Sequence, residues 1–196
     1  MKPGSRLLCV LTLVASTWAW AQPSPDAMVR STVDEVLAVM REHKDPALLR
    51  ELAEQKVLTH FDFERMTRLA VGRAWQNASP AQREALTTGF RRLLVDTYSA
   101  ALNNGVTPAE KIDVKPPQGT GPEVVVRTIA HRAGKAPVAV DYRVARQADT
   151  WKVYDVIVEG ISLVQTYRGT FAAELARSGV DGLIKVLEQR SGKQTS

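Results

Sequence analysis

The spacing of apolar positions along this chain changes period once, and that change organises everything else. From Asp26 to His43, Val29, Val33, Val36, Leu37 and Met40 recur at helical spacing while Arg30, Asp34, Glu35 and Arg41 fall elsewhere, so the pattern predicts an amphipathic helix. Asp45-Pro46 stops it and opens a second helix carrying Leu48, Leu49 and Leu52, because proline suits the first helical position. Asp62 is the predicted cap of a third helix with Phe63, Met66, Leu69 and Ala70 on one side, and Gly72 is placed to end it. Ser79-Pro80-Ala81-Gln82 has the residues of a capping box and launches the longest periodic run. There Leu86, Phe90, Leu93, Leu94, Thr97, Tyr98, Ala101 and Leu102 recur up to Asn103-Asn104-Gly105.

After Gly105 the period falls from 3.6 to two. Segments 111–115, 123–131, 137–146 and 150–158 read as four strands with short connections, hence an antiparallel meander. Val138, Val140, Tyr142 and Val144 alternate with polar Asp141 and Arg143, which marks an inward face. Arg127 and His131 likewise set Val124, Val126 and Thr128 inward. The last strand is apolar on both sides apart from Lys152 and Asp155, so both of its faces are expected to be covered. Glu159-Gly160 then leads into a helix over 161–177 carrying Leu163, Val164, Tyr167, Phe171 and Leu175. A break at Ser178-Gly179, a short helix from Asp181 and a disordered tail over 191–196 complete the chain. Helices, a four-stranded meander and helices again give an α+β fold with about six to seven helices.

The N-terminus changes the picture of where such a fold works. Lys2 and Arg6 precede the apolar run Leu7 to Ala15, and Ala19-Trp20-Ala21 stands before Gln22, the pattern of a secretory signal peptide cut after Ala21. Residues 22–190 are then expected to form a single domain, helical over 26–104, a sheet over 111–158 and helical again over 161–189. No later stretch approaches the roughly 20 apolar residues of a membrane span. Cys9, the sole cysteine, falls inside the signal, which excludes disulfides, thiolate catalysis and cysteine metal sites from the mature chain. Loss of Lys2 and Arg6 leaves 24 basic against 21 acidic residues, a mild excess without a block of like charge, so nucleic acid is not an expected partner.

Little in the sequence resembles a catalytic centre. His43, His60 and His131 are isolated, with no HExxH, and neither a phosphate-binding loop nor a dinucleotide fingerprint is present. Asp155, flanked by Tyr154 and Val156 in an apolar strand, is the one carboxylate that could pair with Tyr142 in an acid–base site. The simpler reading makes it an acceptor of backbone or arginine hydrogen bonds. Arg65, Arg68, Arg73, Arg91 and Arg92 offer positive charge to phosphate groups or acidic surfaces.

Asn77-Ala78-Ser79-Pro80-Ala81-Gln82-Arg83-Glu84 with Phe90 to Tyr98, then Pro137 to Tyr142, then Trp151 to Leu163, together resemble the MlaC family, the toluene-tolerance auxiliary proteins. The likeness spans nearly the whole mature chain, although many relatives carry an aromatic residue where Ala74 stands. The resemblance implies an NTF2-like cone around a deep apolar cavity for phospholipid acyl chains, carried as cargo with no cofactor and no metal. It also implies a periplasmic carrier passing lipid between two partners, an outer-membrane lipoprotein/porin complex and an inner-membrane MCE-domain protein of an ABC transporter, thereby maintaining outer-membrane lipid asymmetry. By position in the matching segments, the cavity wall is expected at Leu94, Tyr98, Val138, Val140, Tyr142, Val144, Ile157, Ile161 and Val164. Two other readings predict different interiors: a small-substrate enzyme using Asp155 and Tyr142 needs a polar pocket, and a pure transporter adaptor needs a solid core.

Overall fold

The computed structural model describes residues 24–42, 45, 51, 53–103 and 109–192. The expected signal segment, His43, Pro46, Leu48, Leu49 and Leu52 of the helix expected after Asp45, and the last four residues of the expected tail lie outside them.

Helix α1 (Pro25–Glu42) buries Met28, Val29, Val33 and Leu37, the face its periodicity predicts. A π-helical turn, Ala53–Val57, and a 3-10 turn, Leu58–His60, lead to α2 (Phe63–Val71). Asp62 caps α2 by accepting from the Arg65 amide at 2.9 Å, and Gly72 ends it at φ 66°, a conformation costly for any residue with a Cβ. After the short α3 (Ala74–Asn77) comes α4 (Pro80–Asn103). Its capping box is formed: the Gln82 amide donates to Ser79 Oγ at 3.2 Å and the Ser79 amide to Gln82 Oε1 at 2.9 Å.

Strands β1 (Ala109–Val114), β2 (Glu123–Arg132), β3 (Lys135–Gln147), β4 (Thr150–Val158) and β5 (Ile161–Ser162) make one antiparallel sheet in sequential order. The sequence pattern predicts four strands and assigns Ile161 and Ser162 to the following helix. They instead pair with Val158 and Ile157, because Glu159 at φ 49° and Gly160 at φ 84° form a tight turn of the kind that joins hairpin strands. Helix α5 spans Leu163–Gly192 and breaks at Gly179, φ 67°, where the sequence places the interruption.

The sheet has a different neighbour on each face. On one, Val124, Val126, Tyr142, Val144, Trp151, Val153 and Val156 pack with α1 and Phe61. On the other, Tyr154 meets a helical core of α2, α4 and α5 built on Met66, Leu86, Phe90, Val164, Phe171, Leu183 and Leu187. A bulge separates the two sets: Arg143 pairs with Asp155 and Val144 with Val153, leaving Tyr154 as the extra residue. Within the helical core, Phe90 meets Tyr167 and Phe171 edge-on at 5.0 and 5.1 Å between centroids. Gly89 lets α4 and α5 close up, since a Cβ there would lie 2.9 Å from Leu187 Cβ.

Asp155, only 2% exposed, ties the sheet to this helical core. Its Oδ2 accepts from Ser162 Oγ at 2.7 Å, its Oδ1 accepts from the Val164 amide at 3.1 Å, and Arg143 Nη1 lies 3.6 Å away. Ser162 Oγ in turn accepts from the Gln165 amide at 3.1 Å, so one hydroxyl links the carboxylate to the first turn of α5. Removing the carboxylate would strand a buried amide donor. Asp155→Ala is therefore expected to cost about 2–3 kcal/mol in urea unfolding and Asp155→Asn about 1 kcal/mol, since its amide oxygen still accepts. Equal stability of all three proteins would refute this role.

Candidate functional site

Between α1, residues 57–61 and the sheet lies a cavity of about 160 Å³. Met28, Val29, Thr32, Val33, Val36 and Leu37 form its roof, Val57, His60 and Phe61 one side, and Ile112, Tyr142 and Val153 the floor. The roof is the apolar stripe of an ordinary amphipathic helix. The floor exists because alternate residues of a strand share a face. Besides packing, α1 is held by Arg30 Nη2, which donates to the Val114 carbonyl at 3.1 Å, and Arg41 Nη2, which donates to the Glu110 carbonyl at 2.8 Å. Both acceptors belong to β1, an edge strand of the sheet.

Three wall residues carry polar atoms. Thr32 Oγ1 donates to the Met28 carbonyl at 2.9 Å. Burial pushes the Tyr142 phenol up to about 12, so it stays neutral. Burial also lowers His60, with Lys152 acting in the same direction and Glu35 opposing. Lys152 is itself anchored, its ammonium donating to the Thr59 carbonyl.

The nine residues expected in the cavity wall separate into groups. Tyr142 lines the cavity. Val144 shares its sheet face but is packed within the α1 core. Val140 and Val138 continue that face beyond the cavity, paired with Thr128 and Ala130, and remain half-buried. Ile161 stands at the far end of the same row, opposite Val158, and is 65% exposed. Leu94 and Val164 belong to the helical core, and Tyr98 on α4 is 41% exposed. Ile157 pairs with Asp141 and Ser162 on the opposite sheet face. Helical periodicity marks a buried face without saying which of two cores it feeds, so the α4 and α5 residues fall away from the cavity. The sequence shows α1's stripe plainly, yet only the fold assigns it to the roof, and His60, Phe61 and Val153 carry no local signal.

The same register separates Tyr142 from Asp155. Tyr142 pairs with Val156 on the α1 face, whereas Asp155 pairs with Arg143 and bonds toward α5, so the two do not share an acid–base site. His131 Nε2 lies 3.0 Å from Asp113 Oδ2, away from the cavity. Of the arginines, Arg65 is committed, its Nη2 2.7 Å from Glu123 Oε1 and its guanidinium over the Tyr154 ring. Arg91 lies over Phe63, and Arg68, Arg73 and Arg92 are exposed. Among the described residues no group of three or more potential metal ligands occurs, and no helix is long and apolar enough to cross a membrane.

Comparison with known proteins gives consistent results. The family model described as MlaC protein matches residues 30–189. The chain is similar to the "intermembrane phospholipid transport system binding protein MlaC" of Haemophilus influenzae, 25% identical, covering 95% of this chain and 92% of that one. Over a shorter stretch it is 30% identical to the toluene tolerance protein ttg2D of Pseudomonas putida, covering 60% of this chain and 54% of the relative. Among solved structures, a phospholipid-binding protein from Ralstonia solanacearum in complex with a phospholipid superposes with a TM-score of 0.78. It is 35% identical and covers 87% of this chain and 98% of its own.

The depressed His60 fixes the sign of a pH effect. The unfolded imidazole takes up its proton near its ordinary 6.5, before the folded one does. Stability is therefore full above that value and falls as pH drops toward the folded value. Between about pH 7.5 and about pH 5.5 the melting temperature should fall further in the wild type than in His60→Gln. Equal falls would remove His60 from the acid response.

Proposed function

The chain belongs to the MlaC family, and from that premise we propose that it is a phospholipid carrier whose acyl chains occupy the apolar space between α1 and the sheet. The observation that carries this reading is an apolar cavity whose floor lies on a longer apolar face of the sheet. Tyr142 lines the cavity, and Val140 and Val138, half-buried, follow it on the same face of β3 with Val158 beside Val140. A solid adaptor core has no use for such a row, and an enzyme pocket would need polar groups converging on it.

The energetics suit a carrier. A two-tailed lipid has on the order of 30 methylenes, and at roughly 0.8 kcal/mol each their exposure would cost some 25 kcal/mol. A cavity of about 160 Å³ holds only part of such a cargo, well below the 300–1,000 Å³ of ordinary small-molecule pockets. Loading therefore separates α1 from the sheet and admits the tails along the Val140 row. The lipid-binding set on this reading is Tyr142, Val138 and Val140 with Val29, Val33, Val36 and Phe61, while Leu94 and Val164 act through packing. The chain needs no covalent chemistry and no cofactor.

We further propose that residues 1–21 direct export to the periplasm. There the carrier exchanges lipid with an outer-membrane lipoprotein/porin complex and with an inner-membrane MCE-domain protein of an ABC transporter, helping to maintain outer-membrane asymmetry. Arginine contacts with the head group are secondary, because exposed ion pairs contribute little.

Solvent extraction of the purified protein followed by mass spectrometry should yield phospholipid, and repeated failure to recover or load any would end the carrier reading. Val36→Glu places a carboxylate on the cavity roof and should weaken lipid binding at least about tenfold, with circular dichroism unchanged. Undiminished binding would move the site away from α1.

A further inference from the structure

Tyr142 is unusual among the cavity walls. Met28, Val29, Val33, Phe61, Ile112 and Val153 surround the space it faces, and its cross-strand neighbours are Val126 and Val156. Among the described residues nothing hydrogen-bonds its hydroxyl, and burial alone accounts for the raised phenol. The side chain is half-buried, so its hydroxyl is not sealed from water, and Thr32 and His60 are the other polar residues in walls that are otherwise apolar. Apolar tails that fill the space displace that water, and a hydroxyl left without a partner is then unfavourable. The hydroxyl therefore makes physical sense as a donor to an acceptor that arrives with the ligand.

We propose that Tyr142 Oη donates a hydrogen bond to an acyl oxygen of the cargo, the ester carbonyl at the head of a glycerophospholipid tail, and so selects acyl-ester lipids and fixes how deeply the tails sit. The assignment rests on the carrier reading and adds to it a chemical discrimination that an apolar cavity alone cannot make. Hydrocarbon walls bind ester-linked and ether-linked tails of equal length alike. A donor that the cargo itself desolvates does not, because the ether lacks the carbonyl and leaves the phenol unpaired. Tyr142 remains protonated, and so remains a donor, throughout the physiological pH range. Its position suits the role, between the cavity under α1 and the half-buried residues Val140 and Val138 on the same sheet face.

A free fatty acid offers the same acyl oxygen, so the test has three arms. Delipidated wild type and Tyr142→Phe are compared by displacement of a fluorescent lipid with diacyl phosphatidylglycerol, its dialkyl ether analogue of matched chain length, and a free fatty acid. The wild type should prefer the diacyl ester by about fivefold, the worth of one net hydrogen bond, and Tyr142→Phe should bring that ratio to about one. An ester-to-ether ratio that is the same in both proteins overturns the proposal. If the wild type binds neither phospholipid, the carrier reading fails on its own account. In that case about fivefold weaker fatty-acid binding in the variant keeps Tyr142 as an acyl-oxygen donor, and equal binding removes it. Thermal unfolding of the lipid-free proteins supplies an independent readout. Because no bond is lost, Tyr142→Phe should melt at the wild-type temperature or above, and a fall of several degrees would reveal a partner within the protein and overturn the assignment.

Discussion

The carboxylate of Asp155 is the joint on which this architecture turns. It sits beside the extra residue of a β-bulge, accepts from Ser162 and from the amide of Val164, and lies near Arg143. Those contacts fix the β4–β5 hairpin and the first turn of α5 in one orientation relative to the sheet. Val164, Phe171 and the rest of α5 then meet α2 and α4 in a close-packed helical core. A buried carboxylate is stable here because both its oxygens accept hydrogen bonds from fixed donors. The residue that looked most like an acid–base catalyst thus serves as a structural acceptor, turned away from the cavity.

With one face of β4 held against that core, the other face is left for a looser arrangement. Helix α1 covers it through Met28, Val29, Val33 and Leu37 and reaches the edge strand through Arg30 and Arg41. Arginine hydrogen bonds to edge carbonyls can be exchanged for water at little net cost, unlike the interlocked aromatic packing of Phe90, Tyr167 and Phe171. The fold therefore pairs a closely interlocked half with a half whose polar ties water can replace, which suits the proposed carrier. Cargo must be shielded while in transit and must still leave.

Much of the fold was legible along the chain. Asp62, Ser79 and Gly72 announce helix ends through the bonds their side chains or backbone can make, and those bonds form. The alternation from Val138 to Val144 identifies a sheet face correctly, because a strand's side-chain period is two. Strand β5 was hidden because two residues are too few to establish a period, and Ile161, three residues before Val164, continues the apolar spacing of the helix behind it. Ile157 and Val164 were drawn into the expected site by their position in the segments that resemble the family, but position in a segment does not say toward which of two interiors a side chain points.

The sequence by itself determined which segments are helical or extended, where they stop, which sides are apolar, and through its ordered motifs which family the chain belongs to. These follow from local backbone preferences and from residue spacing, which one chain carries in full. Only the tertiary structure decided that α1 roofs a cavity while α2, α4 and α5 pack on one another, and that Tyr142 and Asp155 stand on opposite faces of the sheet. The reason is physical: hollow and filled interiors use the same apolar residues, and what separates them is the distance at which their elements come to rest. That distance is set by contacts far apart in sequence, such as those from Arg30 to Val114 and from Arg41 to Glu110.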